Sequence, residues 1–147
     1  MLAQKIKVLI ADDHIIFRRG LKMLLASIDG IELVGEAENG LDLLAVAGRY
    51  TPDVFLIDIS MPVMDGVMAT KELCKRHPGA KVIALSVFGQ ETHIMEMLDA
   101  GALGYLMKNA DKDDIEQAIV SVYNNRSYFC TESNKQVKDL IEKFQSG

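Results

Sequence analysis

The sequence predicts an α/β fold in which a parallel sheet lies between layers of helices. Five short apolar runs alternate with segments of helical period along most of the chain. Three of those runs carry almost no polar alternation, as expected of strands covered on both faces. A length of 147 residues suits one such domain with a short appendage, at roughly 100–200 residues per domain.

The elements follow in order. The first run is Lys7–Ala11 (KVLIA), followed by a helical pattern from His14 to Ile28. There Phe17, Leu21, Leu24, Leu25 and Ile28 share one face, and Asp29-Gly30 closes the segment. Leu33–Ala37 is the second run and Leu41–Ala47 the second helix. Val54–Asp58 (VFLID) precedes a helix over Val67–Arg76, which His77-Pro78-Gly79 ends. Val82–Val87 leads to a helix over Glu91–Ala100, closed by Gly101. Gly104–Lys108 leads to the fifth helix, Asp113–Tyr123, whose opening acidic residues suit a helix N-terminus. Consecutive strand–helix–strand units of this kind form right-handed crossovers in a parallel sheet. The tail, Thr131–Phe144, is a separate amphipathic segment. Ser133 and Gln136 suit a capping box, and Val137, Leu140, Ile141 and Phe144 form one apolar stripe. Two roles are open to it: a last helix docked on its own domain, or a linker or dimer-contact helix leading toward another domain.

Composition narrows the function. Apolar types make up 49% and charged types 25%, which excludes disordered and low-complexity classes. No stretch of about 18 uninterrupted apolar residues occurs, and no secretory leader is legible, so a cytoplasmic location is expected. Sixteen Lys+Arg against twenty-one Asp+Glu give a net charge of −5, which repels a phosphate backbone. DNA contact is therefore expected only through a domain outside this chain. The cysteines, Cys74 and Cys130, form no metal or disulfide pattern. The scattered methionines read as core filler.

In an open α/β sheet, ligands bind at the carboxyl ends of the strands. Asp12 and Asp13 end the first run, Asp58 the third, Ser86 the fourth and Lys108 the fifth. Two carboxylates about 4 Å apart repel by roughly 4 kcal/mol at an effective dielectric of 20. Lys108 offsets one charge of three, and a hard dication with oxygen ligands, Mg²⁺, fits the remaining deficit. His14 stands beside the acid pair, where a solvent-facing or helix-capping role is expected ahead of metal ligation. A cation, a hydroxyl, an ammonium and a free carboxylate together suit phosphoryl transfer with the carboxylate as nucleophile. This chemistry requires Asp58 to lie near the N-terminal acidic pair and within reach of solvent.

Asp12-Asp13, Asp58 within FLIDISMPVMDG, Ser86 and Lys108 together resemble the receiver domain of two-component response regulators, over residues 5–126. DDHIIFRRGLKMLL and EAENG resemble the subfamily with a LuxR/NarL/FixJ-type helix-turn-helix output. The resemblance implies a CheY-like, flavodoxin-like (βα)5 sandwich with a five-stranded sheet of order 2-1-3-4-5. It implies that Asp58 accepts a phosphoryl group from a sensor histidine kinase. Asp13 and Asp58 would bind Mg²⁺ through carboxylates, Ser60 through its backbone carbonyl, and Asp12 through water. Ser86 and Lys108 would contact the phosphoryl oxygens. Tyr105 would be the aromatic switch, turning inward as Ser86 is drawn to the phosphoryl group. Ser60 and Phe88 would tune dephosphorylation, and Val87 would narrow access to the phosphoryl group. Asn109 follows Lys108 where the family often has a cis proline.

Residues 1–126 are thus expected to form the receiver, and 127–147 an amphipathic helix or linker toward an output domain. The expected role is a signalling switch, not an enzyme, that controls transcription and forms a homodimer on phosphorylation. A stand-alone receiver acting through protein contacts is the alternative. A haloacid-dehalogenase-type phosphatase would need an aspartate where Ser60 stands. A nucleotide-binding module would need a GxGxxG or GxxxxGK[ST] loop, which this sequence lacks.

Overall fold

The computed structural model describes residues 4–87 and 92–129. Six parallel strands run in the order β2-β1-β3-β4-β5-β6. They are β1 (Ile6–Ala11), β2 (Ile31–Ala37), β3 (Val54–Asp58), β4 (Lys81–Ser86), β5 (Gly104–Met107) and β6 (Tyr128–Phe129). Five helices connect them: α1 (Ile15–Ala26), α2 (Gly40–Tyr50), α3 (Gly66–Arg76), α4 (Thr92–Ala100) and α5 (Lys112–Tyr123). The expected order holds, and β6 extends the expected five-stranded sheet by two residues paired with Gly104 and Tyr105. Phe88, Cys130 and the tail stripe lie outside the described residues.

Alternation along the strands divides the core in two. Leu9, Phe55, Ile57, Val82 and Ala84 face one side, where they pack with residues of α2, α3 and α4. Val8, Ile10, Val54, Leu56, Ile83, Leu85 and Leu106 face the other, toward α1 and α5. Strand β3 is buried at all five positions because it lies inside the sheet with helices over both faces. Edge strand β2 is mostly half-buried, and its register against β1 shifts between Leu33 and Gly35. Side chains start three of the helices: Asn39, Asp65 and Asp111 accept hydrogen bonds from the Asp42, Met68 and Asp114 N–H groups.

The connection from β3 to α3 is the tightest part of the frame. Gly66 is expected from sequence to serve a tight turn; the structure gives it a different reason. A Cβ there would press on the Asp58 carbonyl and lie 2.9 Å from Ile59 Cα. Its N–H donates to Ile59 O at 2.9 Å. Gly66→Ala is therefore expected to cost about 3 kcal/mol of stability, read as a lowered urea midpoint. The backbone that turns sharply is Val63, at φ 71, between Pro62 O and Met64 N–H, which are hydrogen-bonded at 2.7 Å. This is a γ-turn, a strained conformation for a β-branched residue.

Candidate functional site

The carboxyl ends of β1, β3 and β5 bring Asp12, Asp13, Asp58 and Lys108 to one place, as expected. Ligand-capable atoms of Asp12, Asp13, His14 and Asp58 all lie within 4.8 Å of one another. Lys108 Nζ stands 2.6 Å from Asp12 Oδ2 and 3.3 Å from Asp58 Oδ2. It holds these oxygens by charge; Asp12 Oδ2, Asp13 Oδ1 and Asp58 Oδ2 are buried and accept no directed hydrogen bond. Asp58 Oδ1 accepts the Ser60 N–H at 3.3 Å. Ser60 itself is exposed.

Ser86 is fully buried, and its hydroxyl is engaged with β5. It donates to the Tyr105 hydroxyl at 3.0 Å and lies 3.7 Å from Met107 Sδ. Tyr105 is fully buried as well, with its own hydroxyl 2.7 Å from Met107 Sδ. Its ring is thus already inside, where an inward turn was expected only as Ser86 moved. Val87 is 44% exposed. No cis peptide bond occurs among the described residues, so the Lys108–Asn109 bond is trans.

A model of the response regulator receiver domain matches residues 8–120. The chain belongs to the response regulator receiver family. The transcriptional regulatory protein DegU of Brevibacillus brevis is 40% identical to it over 96% of this chain and 58% of its own length. The response regulator GacA of Pseudomonas syringae pv. syringae is 38% identical over 95% of this chain and 64% of its own length. This chain therefore spans about three-fifths of these relatives. The signal receiver domain of the response regulator NarL from Mycobacterium tuberculosis superposes with a TM-score of 0.79 and 29% identity, over 84% of this chain and all of that one. Receiver domains are signalling domains of two-component systems that bind Mg²⁺ at an acidic pocket and take phosphoryl groups from histidine kinases.

Electrostatics in this receiver match the family's need for a cation. Burial pushes the Asp58 carboxyl up from 3.8 to about 6, and the neighbouring Asp12 charge pushes the same way. The Lys108 ammonium and the Ser60 N–H offset part of this. Orphaned carboxylate oxygens at one point, with more negative than positive charge around them, are the donor set a hard dication takes.

Solvent access is narrower than the sequence suggests, because Asp58 is only 1% exposed. Two side-chain tips stand near Asp58 Oδ2: Lys108 Nζ, and His14 Nδ1 at 3.8 Å. His14 is 61% exposed on its outer side, so rotation about single bonds can clear it. The imidazole also departs from the capping role considered for it: His14 occupies the N-cap position of α1 but makes no side-chain cap.

Sequence reasoning missed the supports. Arg18 donates to the Asp12 carbonyl at 2.6 Å and to Glu36 Oε1 at 3.0 Å, tying the end of β1 to β2. The ring of Phe17 lies 4.7 Å from Lys108 Nζ, a cation–π contact on the same ammonium that pairs with the carboxylates. Phe17 reads only as one of five apolar residues on a helical face, and nothing in that pattern marks it. Arg18, with its fork one turn into the helix, is the signal that was available.

Proposed function

We propose that this receiver is the phosphorylation-controlled switch of a two-component regulator and that Asp58 is its phosphoacceptor. One observation carries the reading. Asp58 ends a fully buried central strand with its Oδ2 3.3 Å from the Lys108 ammonium and within the cluster of Asp12 and Asp13. Asp12, Asp13, Asp58 and the Ser60 carbonyl are the groups that would hold Mg²⁺, which supplies positive charge to the transferring phosphoryl oxygens.

An Asp58 oxygen attacks phosphorus as the P–N bond of a kinase phosphohistidine breaks, and the electron pair leaves with the imidazole. Lys108, already steered by Phe17, neutralises a phosphoryl oxygen. Ser86 exchanges the Tyr105 hydroxyl for another. Because Tyr105 is inside beforehand, the switch is a change of hydrogen-bond partner that fixes the ring's position, biasing the face of α4, β5 and α5. Ser60 and Phe88, two positions after Asp58 and Ser86 in sequence, set the lifetime of the acyl phosphate.

Residues 1–126 constitute the switch and 127–147 lead toward a helix-turn-helix output that binds DNA and regulates transcription. Phosphorylation promotes a homodimer. The domain acts in the cytoplasm and is a signal carrier with no external substrate to turn over. No helix among the described residues is long and apolar enough to cross a membrane. Intact-mass analysis with acetyl phosphate and Mg²⁺ tests the reading. The chain gains one phosphoryl group and Asp58→Asn gains none; equal gain in both defeats it.

A further inference from the structure

We propose that His14 is a nitrogen ligand of the acid site, giving it a preference for first-row transition dications that a purely oxygen-lined site lacks. The proposal rests on reading the aspartate cluster as a cation site and adds a ligand to it.

The first observation is where the ring goes. An N-cap side chain normally satisfies free N–H groups of its helix. His14 does not; its backbone N–H donates to Asp12 Oδ1 at 2.8 Å. The imidazole instead turns over the strand ends. Its Nδ1 lies 3.0 Å from Asp12 Oδ1, 3.4 Å from Asp13 Oδ1 and 3.8 Å from Asp58 Oδ2.

The second observation is a conflict at that one atom. Nδ1 also stands 3.0 Å from Lys108 Nζ. Carboxylates call for a proton on Nδ1, whereas an ammonium calls for its lone pair. A neutral ring cannot answer both. A dication among these groups answers both, taking the lone pair and the carboxylates together.

The third observation is that Asp12 Oδ2 and Asp58 Oδ2, on side chains almost wholly buried, accept no directed hydrogen bond at this point. With bond lengths of about 2.0–2.2 Å, one ion reaches ligand atoms spread over such a cluster after a contraction of a few tenths of an ångström. Oxygen donors alone suit Mg²⁺, which gains little from imidazole. Co²⁺ and its neighbours in the first row gain from a nitrogen donor.

Calorimetric titration with Co²⁺ and, separately, Mg²⁺ tests the assignment on the metal-free chain, on His14→Leu and on Asp13→Asn. Only Co²⁺ displaced by excess Mg²⁺ is counted, which sets aside binding at His77 and His93. His14→Leu is expected to weaken Co²⁺ roughly tenfold or more while leaving Mg²⁺ within about twofold. The visible absorption of bound Co²⁺ should change in parallel. Equal changes for both ions, or none, overturn the assignment of His14. Asp13→Asn separates the two readings. If it weakens both ions while His14→Leu shows no selective loss, the cation site stands and His14 is not its ligand. If it weakens neither, the cation site is wrong and the proposal falls with it.

Discussion

Lys108→Ala is expected to slow phosphoryl uptake from acetyl phosphate about a hundredfold or more. The side chain is 9% exposed, and its ammonium contacts both the Phe17 ring and the carboxylates of Asp12 and Asp58. It is thus held in place before the reaction. A fixed positive charge needs no reorganisation as charge shifts onto phosphoryl oxygens, which is why it lowers the barrier so strongly. Removing it also deprives Asp58 of one of the two influences that lower its carboxyl. The variant's carboxylate then holds its proton to higher pH, and fewer molecules are ready to attack. A time course of intact mass at saturating Mg²⁺ reads the rate, and a rate near that of the parent chain would remove Lys108 from the chemistry.

Asp58→Asn is expected to raise the stability of the metal-free chain at pH 7.5. The Asp58 carboxyl is held at about 6 in the fold, against 3.8 as its ordinary value. The native state therefore binds the proton more tightly than the unfolded chain does. Its contribution favours folding below about pH 4 and is lost as pH rises through about 6. At 1.36 kcal/mol per pH unit, that shift amounts to a penalty of order 3 kcal/mol in neutral solution. Asparagine has no charge to bury, so the difference between variant and parent reports the Asp58 charge together with its interactions with Asp12 and Lys108. Urea unfolding at pH 4 and pH 7.5 should show the variant's advantage only at the higher pH. Mg²⁺ at a hundred times its dissociation constant should return about 2.7 kcal/mol to the parent chain by mass action. An advantage of equal size at both pH values would mean that Asp58 is not strained by its charge.

Much of this arrangement was legible in the residues. Val54–Asp58 matches β3 at both ends because a strand buried on both faces writes itself as an unbroken apolar run. Edge strand β2 was legible only from Leu33, since Ile31 and Glu32 look like a turn once Gly30 is read as a stop. Helix α2 runs on to Tyr50 because its last turn, Gly48-Arg49-Tyr50, is polar outside and leaves no apolar period to follow. Two residues of β6 are too few to signal a strand by pattern.

For the site, residue type at a strand end was enough to collect Asp12, Asp13, Asp58 and Lys108. Direction was not legible. Ser86 points to Tyr105 and His14 points to the carboxylates, and both outcomes depend on neighbours distant in the chain. Arg18 and Phe17, which hold β1 and Lys108 in place, act across 18 and 91 positions of sequence, where local pattern carries no information.

Borohydride reduction after brief exposure to acetyl phosphate and Mg²⁺ asks most directly which oxygen took the phosphorus. An aspartyl phosphate is reduced to the primary alcohol, leaving homoserine where the aspartate stood, and peptide mass spectrometry reads the position. Homoserine at residue 58 alone is the predicted result. Homoserine at 12 or 13, or phosphate retained on a serine, would contradict it.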